Sequence, residues 1–262
     1  MAKKIITVIA TIMLVVGIGM LLFPTVSNFI GKKIAESEAS NFDKRVENIQ
    51  SGSLEEAKKE GKVDDQGYLI DEKGNRTSST PVIFDVDLER LYNDSLKYNE
   101  NLIKNQNSLL IADNSYEYAS LDLADYGAYD YIYGYVTAPT IGMQLPIYLG
   151  ANDATMSYGA AHLTHTSLPI GGRNTNTVLA GHTAYIGRIF FDNLRNLNIG
   201  DSVFLTNYWG TIEYTVSETK IVLPNQSQDI FIKENKDLLT MVTCISNGKK
   251  EYDRYIVICE RA

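Results

Sequence analysis

The sequence predicts a mainly β fold, a closed or nearly closed barrel with short helices, preceded by a helical extension and an N-terminal transmembrane helix. Three observations predict it. From Tyr131 onward, short runs of β-branched and aromatic residues recur between turn signals such as Pro169-Ile170-Gly171-Gly172 and Asn198-Ile199-Gly200-Asp201. The 17 tyrosines concentrate in the same half, and tyrosine suits strands. Residues 5–23 form an unbroken apolar stretch behind Lys3 and Lys4, long enough to cross a bilayer as a helix.

Taken in order, residues 1–4 read as a cytoplasmic tail and residues 5–23 as an uncleaved anchor. Pro24 follows the stretch, and no convincing small-x-small cleavage site appears before Asn28. With so short a leader, the two lysines stay inside and the remainder is exported. Residues 24–84 are a polar stalk and insertion. Within it, Ala35 to Gln50 suits a helix or a solvated stalk, and Gly67 to Phe84 suits a small hairpin around Lys73-Gly74-Asn75. Residues 85–126 hold a helix capped by Asp85 or Asp87. Its apolar face is Leu88, Leu91, Tyr92, Leu96 and Ile103, and an irregular acidic connector follows.

Residues 127–262 are the barrel. Strands are expected near 131–137, 144–149, 176–182, 202–208, 211–223, 238–244 and 252–260, with a short one near 161–165. Ile189 to Leu197 reads as an amphipathic helix.

Of 262 residues, 24 are basic and 32 acidic, a net charge of −8. That balance excludes nucleic acid as a partner class, because phosphate binding calls for a basic surface. There are two cysteines and three histidines, without zinc-ligand spacing, so no metal or other cofactor is expected. Gly171-Gly172 lacks the lysine of a phosphate loop. No paired carboxylates argue for a glycosidase.

Three residue types at strand ends point to thiol-based acyl transfer. Leu239 to Cys244 is an apolar strand that ends on a thiol, a nucleophile when ionised. Thr177 to His182 ends on an imidazole able to take and return a proton. Arg254 lies in the strand after Cys244 and offers fixed N–H donors to an oxyanion. On pattern alone, a lone cysteine in an apolar strand is usually a core residue and a strand arginine is often a rim residue in a salt bridge. His162 and His165 are alternative bases, although their polar, turn-rich setting suits structural hydrogen bonding. Cys259 alternates with Tyr255 and Val257 and suits the core; a Cys244–Cys259 bridge would consume the nucleophile.

These segments together resemble the sortases, specifically the class C, pilin-polymerising sortases of Gram-positive bacteria. Leu239-Thr240-Met241-Val242-Thr243-Cys244 is similar to the family's TLVTC strand, with Met241 in place of leucine. Val178-Leu179-Ala180-Gly181-His182 resembles its histidine segment, and Arg254 in Tyr252-Asp253-Arg254-Tyr255 falls where its arginine falls. Gly134-Tyr135-Val136, Leu145-Pro146-Ile147-Tyr148, Thr166 to Gly172 and Tyr98-Asn99 match the class as well.

The resemblance implies an eight-stranded β-barrel, with Cys244 as nucleophile, His182 as general acid/base and Arg254 as substrate positioner and oxyanion stabiliser. It implies cleavage of an LPxTG-type sorting signal between Thr and Gly, and transfer to a lysine amine of a pilin. A peptidoglycan amine as acceptor, or a non-catalytic surface module, are the alternatives. Class C members carry an Asp-Pro-aromatic lid. Here the matching region offers Asp113-Asn114-Ser115 without proline, leaving Asp113, Tyr116 and Tyr118 as candidate lid residues. Many also carry a second span; none follows the Arg254 strand in this sequence, so one anchor is expected.

Overall fold

A computed structural model describes residues 2–51, 54–78, 86–109, 116–185, 187–226, 228–248 and 251–262. Its first element, α1 (Ala2–Ser51), is one continuous helix. Pro24 removes a single backbone donor, and the helix runs through it. Side chains of the apolar stretch, among them Ile9, Leu14 and Leu21, are exposed, and the helix is long and apolar enough to cross a membrane.

Further along, α1 is docked on the barrel rather than solvated. Ala39, Asn41, Phe42 and Arg45 are buried. The Phe42 ring meets Tyr208 at 4.9 Å and Tyr135 edge-on at 6.0 Å. The Arg45 guanidinium pairs with Asp130, with side chains only 5% and 4% exposed. Burial pushes the Asp130 carboxyl up, and Arg45 opposes that push.

After α2 (Leu54–Lys59), two short bridges join Val63 to Leu69 and Ile70 to Arg76. Each follows an aspartate turn. Asp64 Oδ1 accepts the amides of Gln66 and Tyr68, and Asp71 Oδ1 accepts those of Lys73 and Asn75. The expected turn at Lys73-Gly74-Asn75 is therefore present, but its return arm is Arg76. The expected partner, Pro81 to Phe84, lies outside the described residues.

α3 (Leu88–Leu109) starts where Asp87 Oδ1 accepts the Arg90 amide. Its buried face differs from the apolar one. Leu91, Ser95, Asn99, Leu102 and Gln106 are inside, whereas Tyr92, Leu96 and Ile103 are exposed. The polar members are buried because they satisfy loop backbone. Asn99 bonds both the amide and the carbonyl of Leu168, and Gln106 bonds the His165 carbonyl and the Ile232 amide. Ser95 Oγ is 2.7 Å from the buried Tyr133 hydroxyl.

Eight strands follow: β1 (Ile132–Ala138), β2 (Met143–Leu149), β3 (Ala160–His162), β4 (Thr175–Ala180), β5 (Ser202–Asn207), β6 (Gly210–Val222), β7 (Asp237–Ser246) and β8 (Tyr252–Arg261). A one-turn helix, α4 (Asp153–Met156), precedes β3. The strands close a barrel in the order β1-β2-β3-β4-β7-β8-β6-β5. The β2–β3 and β4–β7 pairs are parallel and the rest antiparallel. Inside, Leu145, Leu179, Phe191, Leu205, Leu239, Met241 and Val257 belong to one buried cluster.

Ile189 to Leu197 is not a regular helix; only Leu194–Asn196 forms a 3₁₀ turn. Its backbone donors are used elsewhere. The Phe190 amide goes to the Asp192 carboxylate and the Phe191 amide to the His182 carbonyl.

Candidate active site

β7 is hydrogen-bonded on both sides, to β4 and to β8. Its first residues are buried, and the strand emerges from the core toward its C-terminal end, at Cys244. There the thiol stands directly across from Arg254 of β8. The Arg254 guanidinium donates from Nη1 to Cys244 Sγ at 3.4 Å. Both side chains are partly buried, so solvent screens the contact only in part.

His182 lies two residues beyond the end of β4 and lines neither of the cavities at Cys244. Gly181 and Thr183, the residues on either side, clasp the end of β7. The Thr243 hydroxyl donates to the Gly181 carbonyl at 2.7 Å, the Gly181 amide donates to Val242, and the Thr183 hydroxyl donates to the Cys244 carbonyl at 3.0 Å. Deeper in the pair, the Thr240 hydroxyl and the Asn176 side chain lock the two strands at 2.8 Å. Glycine is required at 181, because a Cβ there would lie 2.8 Å from the Phe191 ring. The imidazole of His182 is half-buried and stacks on the Tyr185 ring at 5.6 Å and 18°.

Two open cavities meet at the thiol. One, of about 760 Å³, is lined by Leu223, Pro224, Asn247, Glu251, Tyr252, Asp253 and Arg254 as well as Cys244. The other, of about 360 Å³, is lined by Thr183, Ala184, Phe191, Asp192, Arg195 and Tyr252 as well as Cys244. Asp192 is a structural part of that wall, since its carboxylate accepts the Ala184 amide at 2.7 Å. Sequence reasoning missed Thr183, Tyr185, Asp192 and Thr243. Their nearness to His182 and Cys244 in the chain was the only signal for them.

Cys259 and the other two histidines are separate from this site. Cys259 pairs with Leu239 in the core, both cysteines are free, and burial pushes the Cys259 thiol up to about 12. His162 is fully buried, and its Nε2 faces the carbonyls of Thr166 and Ser167 at 3.2 and 3.0 Å. Desolvation holds its imidazole down at about 4. The His165 carbonyl and amide bind Gln106 and the Tyr98 hydroxyl. The His162 ring thus makes structural hydrogen bonds, whereas, among the described residues, His165 does so through its backbone alone.

Tyr116 and Tyr118, two of the candidate lid residues, lie elsewhere. Asp113 is outside the described residues. The Tyr116 carbonyl accepts the amides of Ala151 and Thr164, beyond the C-terminal ends of β2 and β3. β3 runs antiparallel to β4, so these are the strand ends opposite Cys244. Neither Tyr116 nor Tyr118 lines the two cavities at the thiol. Among the described residues, no cluster of side chains is fit to hold a metal ion.

Residues 136–262 match the sortase domain family. A solved structure of sortase C from Clostridium perfringens, with the C-terminal cell wall sorting motif, is 31% identical; the match covers 66% of this chain and 88% of that one, with a TM-score of 0.54. Sortase C1 of Streptococcus agalactiae is 26% identical over 66% of this chain and 89% of its own, with a TM-score of 0.58. Sortase A of the same species is 30% identical over 43% of this chain and 47% of its own length. The chain thus spans about half the length of the curated relatives it matches. The chain belongs to the sortase family, and its structural neighbours are class C sortases.

Proposed function

We propose that this chain is a membrane-anchored cysteine transpeptidase that polymerises pili, with the barrel outside the cell. It cleaves an LPxTG-type sorting signal between Thr and Gly and passes the acyl group to a pilin lysine. The observation that carries this reading is the Arg254 guanidinium on Cys244 Sγ, at the meeting point of two cavities, with the residues on either side of His182 bonded to the end of β7.

Cys244 gives its proton to His182, and the sulfur attacks the threonine carbonyl carbon. Negative charge gathers on the carbonyl oxygen, where Arg254 offers its donors. As the C–N bond breaks, the imidazolium returns the proton to the glycine amine, leaving a thioester on Cys244. An incoming lysine amine then attacks the thioester. His182 takes its proton, and the thiol is regenerated as the isopeptide bond forms. Two cavities that share Cys244 let one hold the sorting signal while the other admits the amine. No step draws on a cofactor.

The test is to incubate the full chain in detergent with an LPxTG-type peptide and look for the thioester by mass spectrometry. A pilin lysine and a peptidoglycan stem peptide are then added in competition. The reading expects an adduct on wild type, none on Cys244→Ala, and preferred transfer to the pilin lysine. Strict preference for the stem peptide assigns the chain to wall attachment, and no adduct leaves a binding module.

A further inference from the structure

The anchor helix touches the segment that follows His182, backbone to backbone. A Cβ built on Gly31 would stand 2.5 Å from the Gly187 carbonyl oxygen and 3.1 Å from Arg188 Cα. The contact is reciprocal: a Cβ on Gly187, whose φ is +88°, would stand 2.5 Å from Ser27 Oγ. Only glycine permits so close an approach. Glycine within a helix costs about 1 kcal/mol relative to alanine, so its place here calls for a reason. Gly17 and Gly19, earlier in the same helix, have nothing within 4 Å of a built Cβ. The close packing therefore belongs to position 31 and is not shared by the helix's other glycines.

From this contact a short path leads to the imidazole. The Arg188 amide donates to the Tyr185 carbonyl at 3.3 Å. The Tyr185 ring lies nearly parallel to the His182 ring, at 5.6 Å and 18°. Phe190 meets the same tyrosine edge-on at 5.5 Å, so the tyrosine is held between the core and the imidazole. The stacking leaves the imidazole nitrogens free of the tyrosine while fixing the plane of the ring.

We infer that Gly31 is a positioning residue for His182: the seating of the anchor helix on Gly187 and Arg188 sets, through Tyr185, the plane in which the imidazole works. The inference rests on the acyl-transfer reading of His182. It makes the helix that leaves the apolar stretch a part of the catalytic apparatus as well as a tether. Displacing that helix unseats the base while leaving Cys244 and Arg254, on β7 and β8, in place.

The experiment compares Gly31→Leu with Gly17→Leu in the full chain in detergent, using histidine-labelled protein. The His182 signal is assigned by its loss in His182→Gln. Gly31→Leu should move the His182 ring resonance away from its tyrosine-stacked value and leave that of buried His162 unmoved; Gly17→Leu should move neither. A Cβ at 2.5 Å from an oxygen must retreat about 1 Å to reach ordinary contact, a displacement that costs a positioned group up to about 100-fold in rate. Thioester formation by Gly31→Leu should fall by that order in kcat, with KM little changed. Gly31→Ala, whose methyl meets the same carbonyl, should shift the resonance and the rate less and in the same direction, which covers a leucine variant that fails to fold. An unmoved His182 resonance, or a moved one with undiminished acylation, overturns the inference. If wild type forms no thioester, the acyl-transfer reading fails, and the resonance alone then decides whether Gly31 positions His182.

Discussion

Replacing His162 with glutamine should remove a defined part of the protein's acid sensitivity. The His162 Nε2 faces two carbonyl oxygens, which only accept, so this nitrogen carries the proton and the ring is neutral in the folded state. Burial lowers its pKa from 6.5 to about 4. A folded-state value below the unfolded one means that acid favours unfolding. The stability is whole above pH 6.5 and is lost progressively as pH falls to about 4. The full difference corresponds to about 3 kcal/mol, of which about 2 kcal/mol is lost between pH 7.5 and 5.0. Glutamine keeps a donor for the Thr166 and Ser167 carbonyls but does not titrate. Urea unfolding of the full chain in detergent at the two pH values gives the comparison. Wild type should lose about 2 kcal/mol more than His162→Gln over this interval; other groups, His165 among them, cancel in the difference. Equal losses in the two proteins would refute the assignment, as would a His162 resonance titrating near 6.5.

Arg254→Lys keeps the charge but loses the directed Nη1 donor to Sγ, and should slow thioester formation by about 10²–10³-fold, read by mass spectrometry of the acyl-enzyme. Arg45→Met or Asp130→Asn alone strands a buried partner and should cost about 3–5 kcal/mol in urea unfolding. Replacing both by apolar residues of similar volume should recover most of that loss. Tyr118→Ala should leave the acylation rate unchanged, since the side chain is 76% exposed and does not line the cavities at the thiol. Cys259→Ala should still form the thioester but unfold at lower urea concentration, because it empties a fully buried site.

The barrel was legible because its strands alternate or run apolar between turn residues, and all eight lie within a few residues of where that pattern puts them. Cys244, His182 and Arg254 were legible as reactive types at strand ends; the pairing of β7 and β8 sets Cys244 across from Arg254, and that of β4 with β7 brings the neighbours of His182 to the end of β7. The buried face of α3 was not. Periodicity finds apolar stripes, and this helix buries Ser95, Asn99 and Gln106 to satisfy backbone groups that belong to loops far away in sequence. The irregular path of Phe190 to Asp192 was hidden for a related reason, because its amides are taken by Asp192 and His182 instead of by helical neighbours. The docking of α1 gave no signal of its own: Phe42 and Arg45 lie in a charge-rich run and find their partners only across the fold.

With α1 as the proposed anchor, its unbroken course would fix an altitude. Ser27 and Gly31, which meet Gly187 and Arg188, follow the end of the uncharged stretch at Phe23 by only one to two helical turns, about 6–12 Å at 1.5 Å per residue. A flexible linker would let the thiol sweep a wide volume; a rigid strut that spans the membrane as proposed would confine it to a thin layer at nearly constant height above the bilayer. Two substrates anchored in the same membrane, with their cleavage and acceptor sites at that height, would meet the thiol at high local concentration. A freely diffusing peptide gains nothing from the arrangement. Geometry would then select among surface proteins before any side chain has read their sequence.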